Sequence, residues 1–162
     1  MSDARPAFDD ARYRQVLGHF PTGVTVITAA GEPPAGLAVG SFASASLDPP
    51  LVAFFANRSS SSWPRIEASG SFCVNVLADD QEEVCRRFAS KADDKFAGLG
   101  WHPARSGAPI LTGVLAWIDC DLESVTDAGD HVCVLGRIRE MDIGHEGGPL
   151  VFYRGGYGRF TV

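Results

Sequence analysis

The stretch "GLAVGSFASASLDPPLVAFFANRSSSSWPRI", residues 36–66, carries three local signals in succession. Residues 36–47 alternate, the period-2 pattern of a strand, and within them "VGSFASASL" (39–47) alternates small hydroxylated side chains with small or apolar ones. "DPP" at 48–50 interrupts as a turn, and "LVAFFA" at 51–56 resumes as an apolar run, the pattern of a buried strand. Asn57 and Arg58 end that run and four serines follow. Pro64 then falls where the first turn of a helix tolerates a missing N–H. Two antiparallel strands and a helix starting at Ser61 or Ser62 are therefore expected, and the fold is built on hairpins.

Working outward, "GVTVITA" (23–29) is a preceding strand, turned by "AGEPPAG" (30–36), and "SFCVNVL" (71–77) is a further one. "GVLAWIDCDLESV" (113–125) alternates strictly. "DAGDH" (127–131) is a hairpin turn, "HVCVLGRIREM" (131–141) is the returning strand, and "PLVFYR" (149–154) is a last strand. Residues 7–19 fit a short amphipathic helix. Residues 79–90 carry a helix-start signature, with Asp79 as cap and Glu82 three residues on. The segment 94–111, with its glycines and prolines, reads as a long irregular connection, a kind of loop that is often functional. Six or seven strands against two or three short helices favour a small closed antiparallel barrel, because closure removes exposed edges. No strand is followed by G-x-G-x-x-G and a crossover helix, which excludes a dinucleotide-binding parallel sheet.

At 162 residues the chain (1–162) is expected to form one domain. Its net charge of −6, with no basic run of five, argues against nucleic acid as a partner. The start lacks the apolar core of a secretory signal, and no 18-residue apolar stretch offers a membrane span. Cys73, Cys85, Cys120 and Cys133 are far apart, and three of them lie in apolar patterns, where a buried reduced thiol is expected. A cytoplasmic protein without a metal or membrane partner is the expectation.

No G-x-S-x-G, phosphate-loop or H-E-x-x-H motif is present. Ser61 and Ser62 at a helix start, with Arg58 beside them, have the groups of a phosphate seat, although serines there also serve as ordinary caps. The alternating strand (Ser41, Phe42, Ser44, Ser46) suits a flat ring laid against backbone, and Thr22 and Gly23 in "FPTGV" allow close backbone approach.

Taken together, "FPTGVTVITA", "SLDPP", "NRSSS", "FCVNVL", "RRFAS", "GDH" and "GGPLVFYRGGYG" occur in an order that resembles the flavin reductase-like, FMN-binding split-barrel family over about residues 8–158. Members include the reductase partners of two-component aromatic monooxygenases. The resemblance implies a mainly β fold: a six-stranded antiparallel split barrel of Greek-key type with short peripheral helices. It also implies a homodimer and an NAD(P)H:flavin oxidoreductase using FMN or FAD with NADH or NADPH, which supplies reduced flavin to a monooxygenase. Ser41, Ser44 and Ser46 would cradle the ring, Asn57, Ser61 and Ser62 the ribityl phosphate, and Phe88 and Ala89 the outer flavin. His131 would face the nicotinamide or, on the other reading, cap its hairpin. Trp63 stands where many relatives have histidine, and either stacks on a ring or fills a core gap. Tyr153 and Tyr157 either line the site or pack the barrel end. Ala38 and Gly40 replace hydroxylated residues of many relatives. Two alternatives therefore stay open: a flavin- or haem-holding barrel without NAD(P)H turnover, and a flavoenzyme acting directly on an organic substrate.

Overall fold

The computed structural model describes residue 4 and residues 6–161. Helix α1 (Asp10–Leu17) starts behind Asp9, whose Oδ1 accepts the Arg12 N–H at 2.8 Å, so the helix is shorter than its apolar pattern suggested. Strands β1 (Thr22–Gly23), β2 (Thr25–Ala29), β3 (Ala35–Val39), β4 (Ala43–Ser46) and β5 (Leu51–Asn57) follow. Then come α2 (Trp63–Ser69), β6 (Ser71–Val76) and α3 (Glu82–Ala89). A short pair, β7 (Trp101–Pro103) and β8 (Pro109–Leu111), precedes the long hairpin β9 (Ala116–Ala128) and β10 (His131–Ile143). β11 (Leu150–Tyr153) and β12 (Gly156–Arg159) complete the chain.

The fold is mainly β and antiparallel, as expected, but its main sheet has seven strands rather than six, in the order β3-β2-β6-β9-β10-β5-β4. No ladder joins its two edge strands, so the sheet does not close as a complete barrel. The edges are instead consecutive in the chain, since β3 and β4 are separated by Gly40–Phe42 alone. The 36–47 segment, which reads as one alternating strand, breaks there to serve both edges. Ser41 helps at the break: its hydroxyl accepts the Phe55 N–H at 2.9 Å and donates to the Phe55 carbonyl at 3.2 Å. A side chain thereby extends the β5 ladder past the end of β4.

Both faces of β2 are covered, which is why all five of its residues are buried. On one face Ile27 joins Phe54, Phe72 and Val134, with Trp63 and Ile66 of α2 packed above. On the other, Val26 joins Leu77, Phe88 and Ile110, roofed by α3. Gly36 is required for that roof, because a Cβ there would stand 2.3 Å from the Phe88 ring.

Three expectations need correction. Segment 94–111 contains the β7–β8 pair and is tied down by buried polar groups. Asn75 donates to the carbonyls of Val26 (3.2 Å) and Pro109 (3.3 Å) and accepts the Leu111 N–H at 2.8 Å. The fully buried Asp119 accepts the Ser106 N–H (2.9 Å) and hydroxyl (2.6 Å). Asp79 does not cap α3. Its N–H donates to the Gly148 carbonyl, and Gln81 precedes the helix, its Oε1 accepting the Ala78 N–H. Finally, "GGYGR" is itself a strand, β12, paired with β11. Among the described residues no helix is long and apolar enough to cross a membrane.

Candidate functional site

A cavity of about 1000 Å³ opens between α1 and the break in the sheet edge. That volume is at the upper end for small-molecule sites. Its walls are mostly apolar: Leu17, Phe20, Phe42, Phe55, Val76 and Phe152 all line it. Of the residues singled out in the sequence, Thr22, Gly23, Ser41 and Phe42 meet here. The Thr22 hydroxyl is buried without a hydrogen-bond partner, which is costly unless a ligand satisfies it. It lies beneath Gly40, where a Cβ would come within 3.2 Å of it. A flat, mostly apolar ring with a polar edge fits this combination of apolar walls, bare backbone and one unsatisfied hydroxyl.

His131 is not in the cavity wall but stands next to it. It opens β10 opposite Asn57, while Cys133, two residues on, pairs with Phe55 in the wall. Residues two apart share a sheet face, so His131 lies about 7 Å along the strand from the cavity register. Its Nδ1 is 2.6 Å from Asp130 Oδ1, and that contact holds the Asp130 carboxyl below its usual range. Asn57 is turned inward on its own loop, accepting the Ser59 N–H and hydroxyl at 2.9 and 2.8 Å.

The phosphate seat is differently built than its sequence implies. Helix α2 has seven residues, and the N–H groups of Ser62 and Trp63 at its start are already taken by the Ser60 hydroxyl. Arg58 points away, donating from Nε to the Gly129 carbonyl (2.9 Å) and pairing with Asp127 (2.5 Å). It braces the β9–β10 hairpin. Ser61 and Ser62 instead line a second cavity, of about 210 Å³, with three cations absent from the sequence reading: Arg65, Lys91 and Lys95. Asp93 is the one carboxylate in its wall. Lys95 Nζ donates to Ser62 Oγ (3.3 Å) and to the carbonyls of Gly36 (3.3 Å) and Phe88 (3.1 Å). Burial holds its ammonium below the ordinary lysine value. The cation pair in "SKADDK" was the available signal, masked by its adjacent aspartates.

The remaining residues lie elsewhere. Trp63 is in the core, edge-on to Phe54 at 6.0 Å. Phe88 is fully buried against Phe96, and Ala89 is exposed at the end of α3. Tyr157 hydrogen-bonds Cys85 at 3.3 Å under the Arg86 guanidinium, and chiefly that bond and burial push its hydroxyl up to about 12. Tyr153 is exposed and edge-on to His19. Ser44 and Ser46 lie on β4, outside both cavities.

Burial raises the thiols of Cys73, Cys85 and Cys120, the last pushed up to about 12. Cys133 alone is not buried. Iodoacetamide should accordingly modify Cys133 first in the folded protein, and all four cysteines after denaturation. Mass spectrometry of the digested adducts checks this, and early labelling of Cys73 or Cys120 would contradict the burial.

Comparison with known proteins agrees with this architecture. Residues 17–161 match the family model described as flavin reductase like domain. A flavin reductase of Pseudomonas putida is 56% identical over 160 residues, 98% of this chain and 94% of that protein. The crystal structure of a nitrilotriacetate monooxygenase component B from Mycobacterium thermoresistibile superposes with a TM-score of 0.92 at 48% identity, covering 94% of this chain and 87% of that one. The Streptomyces globisporus NADH:FAD oxidoreductase SgcE6, solved in complex with NAD and FAD fragments, gives 0.90 at 35% identity, covering 94% and 93%. An apolar ring cavity at a sheet edge, a match over nearly the whole chain and close structural neighbours lead to one conclusion: this protein belongs to the flavin reductase-like domain family.

Proposed function

We propose that the protein is an NAD(P)H-dependent flavin reductase. The large cavity receives the ring of FMN or FAD with a nicotinamide against it, and the reduced flavin passes to a partner monooxygenase. The observation that carries this reading is the large apolar cavity with its orphaned Thr22 hydroxyl. The SgcE6 complex and the monooxygenase component among the relatives support it.

When bound, the flavin supplies at N5 an acceptor for hydride from nicotinamide C4. The chain's own tasks are positioning and exclusion of water. Gly23 and Gly40 let the backbone approach the ring, and Thr22 offers its hydroxyl to the polar edge. Phe42, Phe55 and Phe152 wall off solvent. Ser61, Ser62, Lys91 and Lys95 hold the flavin phosphate in the second cavity. Gly36 in that wall, on β3, and Gly40 in the first, just past its end, are four residues apart, roughly 13 Å if extended. His131 at the rim hydrogen-bonds the nicotinamide carboxamide. Helix α1 buries none of its residues, and Phe8, Tyr13, Val16, Leu17 and Phe20 are 48–76% exposed on and beside it. A second copy of the chain covering this face gives a homodimer.

NADH oxidation followed at 340 nm, with and without added flavin, tests the proposal: turnover that scales with free flavin supports it, and none with any flavin refutes it. His131→Ala should lower kcat/KM for NADH by about 1 to 2 kcal/mol, roughly five- to thirtyfold, through a raised KM. Flavin affinity and Tm should stay near wild type. Early melting with an unchanged KM would make His131 a hairpin residue.

A further inference from the structure

Three donors of Arg58 end on the turn that carries His131. Its backbone N–H reaches the Asp130 carbonyl at 3.0 Å, and its Nε reaches the Gly129 carbonyl at 2.9 Å. Its Nη2 pairs with Asp127 Oδ1 at 2.5 Å. Gly129 and Asp130 are the whole connection between β9 and β10, and His131 opens β10 opposite Asn57, the last rung of the β5 ladder. Arg58 follows Asn57 directly. The place of the hairpin tip depends on this side. The β6 ladder along β9 ends at Asp121, so the tip half of the hairpin is laddered to the rest of the sheet through β5 alone. That ladder stops at Asn57, and Arg58 continues it with side-chain donors.

The imidazole has its own support. Its Nδ1 lies 2.6 Å from Asp130 Oδ1. A carboxylate only accepts, so the neutral ring carries its proton on Nδ1 and leaves Nε2 as a bare acceptor. Among the described residues Nε2 makes no hydrogen bond. The Asp130 side chain is 91% exposed and that of Arg58 45%. Contacts this open to solvent add little to folding stability. What they fix is the position and the protonation pattern of one imidazole beside the large cavity.

We propose that Arg58 and Asp130 are positioning residues for His131: Arg58 holds the turn in place and Asp130 selects the Nδ1–H tautomer, so that Nε2 accepts an N–H of the nicotinamide carboxamide. This inference rests on the reductase reading and specifies its recognition step. A carboxamide has two N–H donors and a carbonyl, and a bare Nε2 takes only the donors. The contact therefore distinguishes the amide from a group of the same shape that lacks an N–H.

The test uses Arg58→Met, which keeps the side-chain stem and removes its donors, and Asp130→Ala. Each should raise the KM for NADH about three- to tenfold and leave the KM for FMN within about twofold. Asp130→Asn, whose amide oxygen still accepts from Nδ1, should restore most of the loss. In a His131→Ala background the same substitutions should add less than about twofold, because they act through that ring. Reduced 3-acetylpyridine adenine dinucleotide has a methyl ketone in place of the carboxamide, so its KM should move less than about twofold in every variant. Nitrogen-15 spectra of the flavin-free protein, taken where histidine is neutral, should show His131 protonated on Nδ1 in the wild type and a mixture of tautomers in Asp130→Ala. A wild type protonated on Nε2 overturns the proposal, as do NADH effects that persist in full without His131. A wild type that turns over NADH, with an unchanged KM in both variants, overturns the positioning alone. If the wild type oxidises no NADH with any flavin, the reductase reading fails and the proposal fails with it.

Discussion

Replacing Lys91 and Lys95 together by methionine is expected to weaken FMN binding by about 2 to 4 kcal/mol, roughly 30- to 1000-fold. Each lysine offers a charge-assisted hydrogen bond to a phosphate oxygen, worth about 1.5 to 3 kcal/mol, with exposed Lys91 at the low end because solvent screens it. Riboflavin has no phosphate and should bind both proteins with nearly equal affinity, and that contrast identifies the contact. Lys95 also ties β3 to α3 through the Gly36 and Phe88 carbonyls, so its loss costs some stability. Lys91→Met, which breaks no hydrogen bond among the described residues, separates the two roles: it should weaken FMN at an unchanged Tm. Fluorescence quenching titrations with FMN and riboflavin give all the constants. Equal losses for both flavins would show that the lysines only hold the fold.

Trp63→Ala is expected to lower the unfolding free energy by about 3 to 5 kcal/mol, the range for truncating a buried aromatic side chain. Trp63 is 5% exposed, meets Phe54 edge-on, and anchors α2 to the sheet with Ile66. Flavin affinity of the folded fraction should remain within twofold, since the ring reaches neither cavity. Urea denaturation followed by circular dichroism measures the first quantity and flavin titration the second. A stable variant with lost flavin affinity would place Trp63 at the ligand. The prediction separates the two readings that the sequence leaves open for this residue, stacking on a ligand or filling the core.

Local chemistry made most elements legible. A Val/Ile/Thr-rich run gave β2 and an apolar run gave β5, the "AGD" turn gave the β9–β10 hairpin, and Pro64 marked the start of α2. These signals are short-range: period, turn residues and caps act within a few residues of one another. Legibility faded where partners are distant in the chain. The β7–β8 pair depends on Asn75 and Asp119, contributed by other strands, and nothing inside 94–111 announces it.

The site shows the same division. Thr22, Gly23, Ser41 and Phe42, which line the large cavity, stood out in the sequence because small residues and hydroxyls leave the backbone open to close approach. Which cations stand with Ser61 and Ser62 was not identifiable. Arg58 adjoins the serines in sequence, yet the hairpin of residues 127–130 takes its guanidinium. Lys95, 33 residues from Ser62 in the chain, comes within 3.3 Å of it.

Period, turn chemistry and side-chain size act locally, so the strand-and-hairpin character, the places of the three helices and the small-residue edge can be read from the residues alone. That the sheet has seven strands with its two edges joined through Gly40–Phe42 follows from packing between distant segments. The same holds for Trp63 being core and for Lys91 and Lys95, rather than Arg58, standing with the serines. Packing and long-range charge pairing settle such questions, since each depends on which distant side chain reaches a group first.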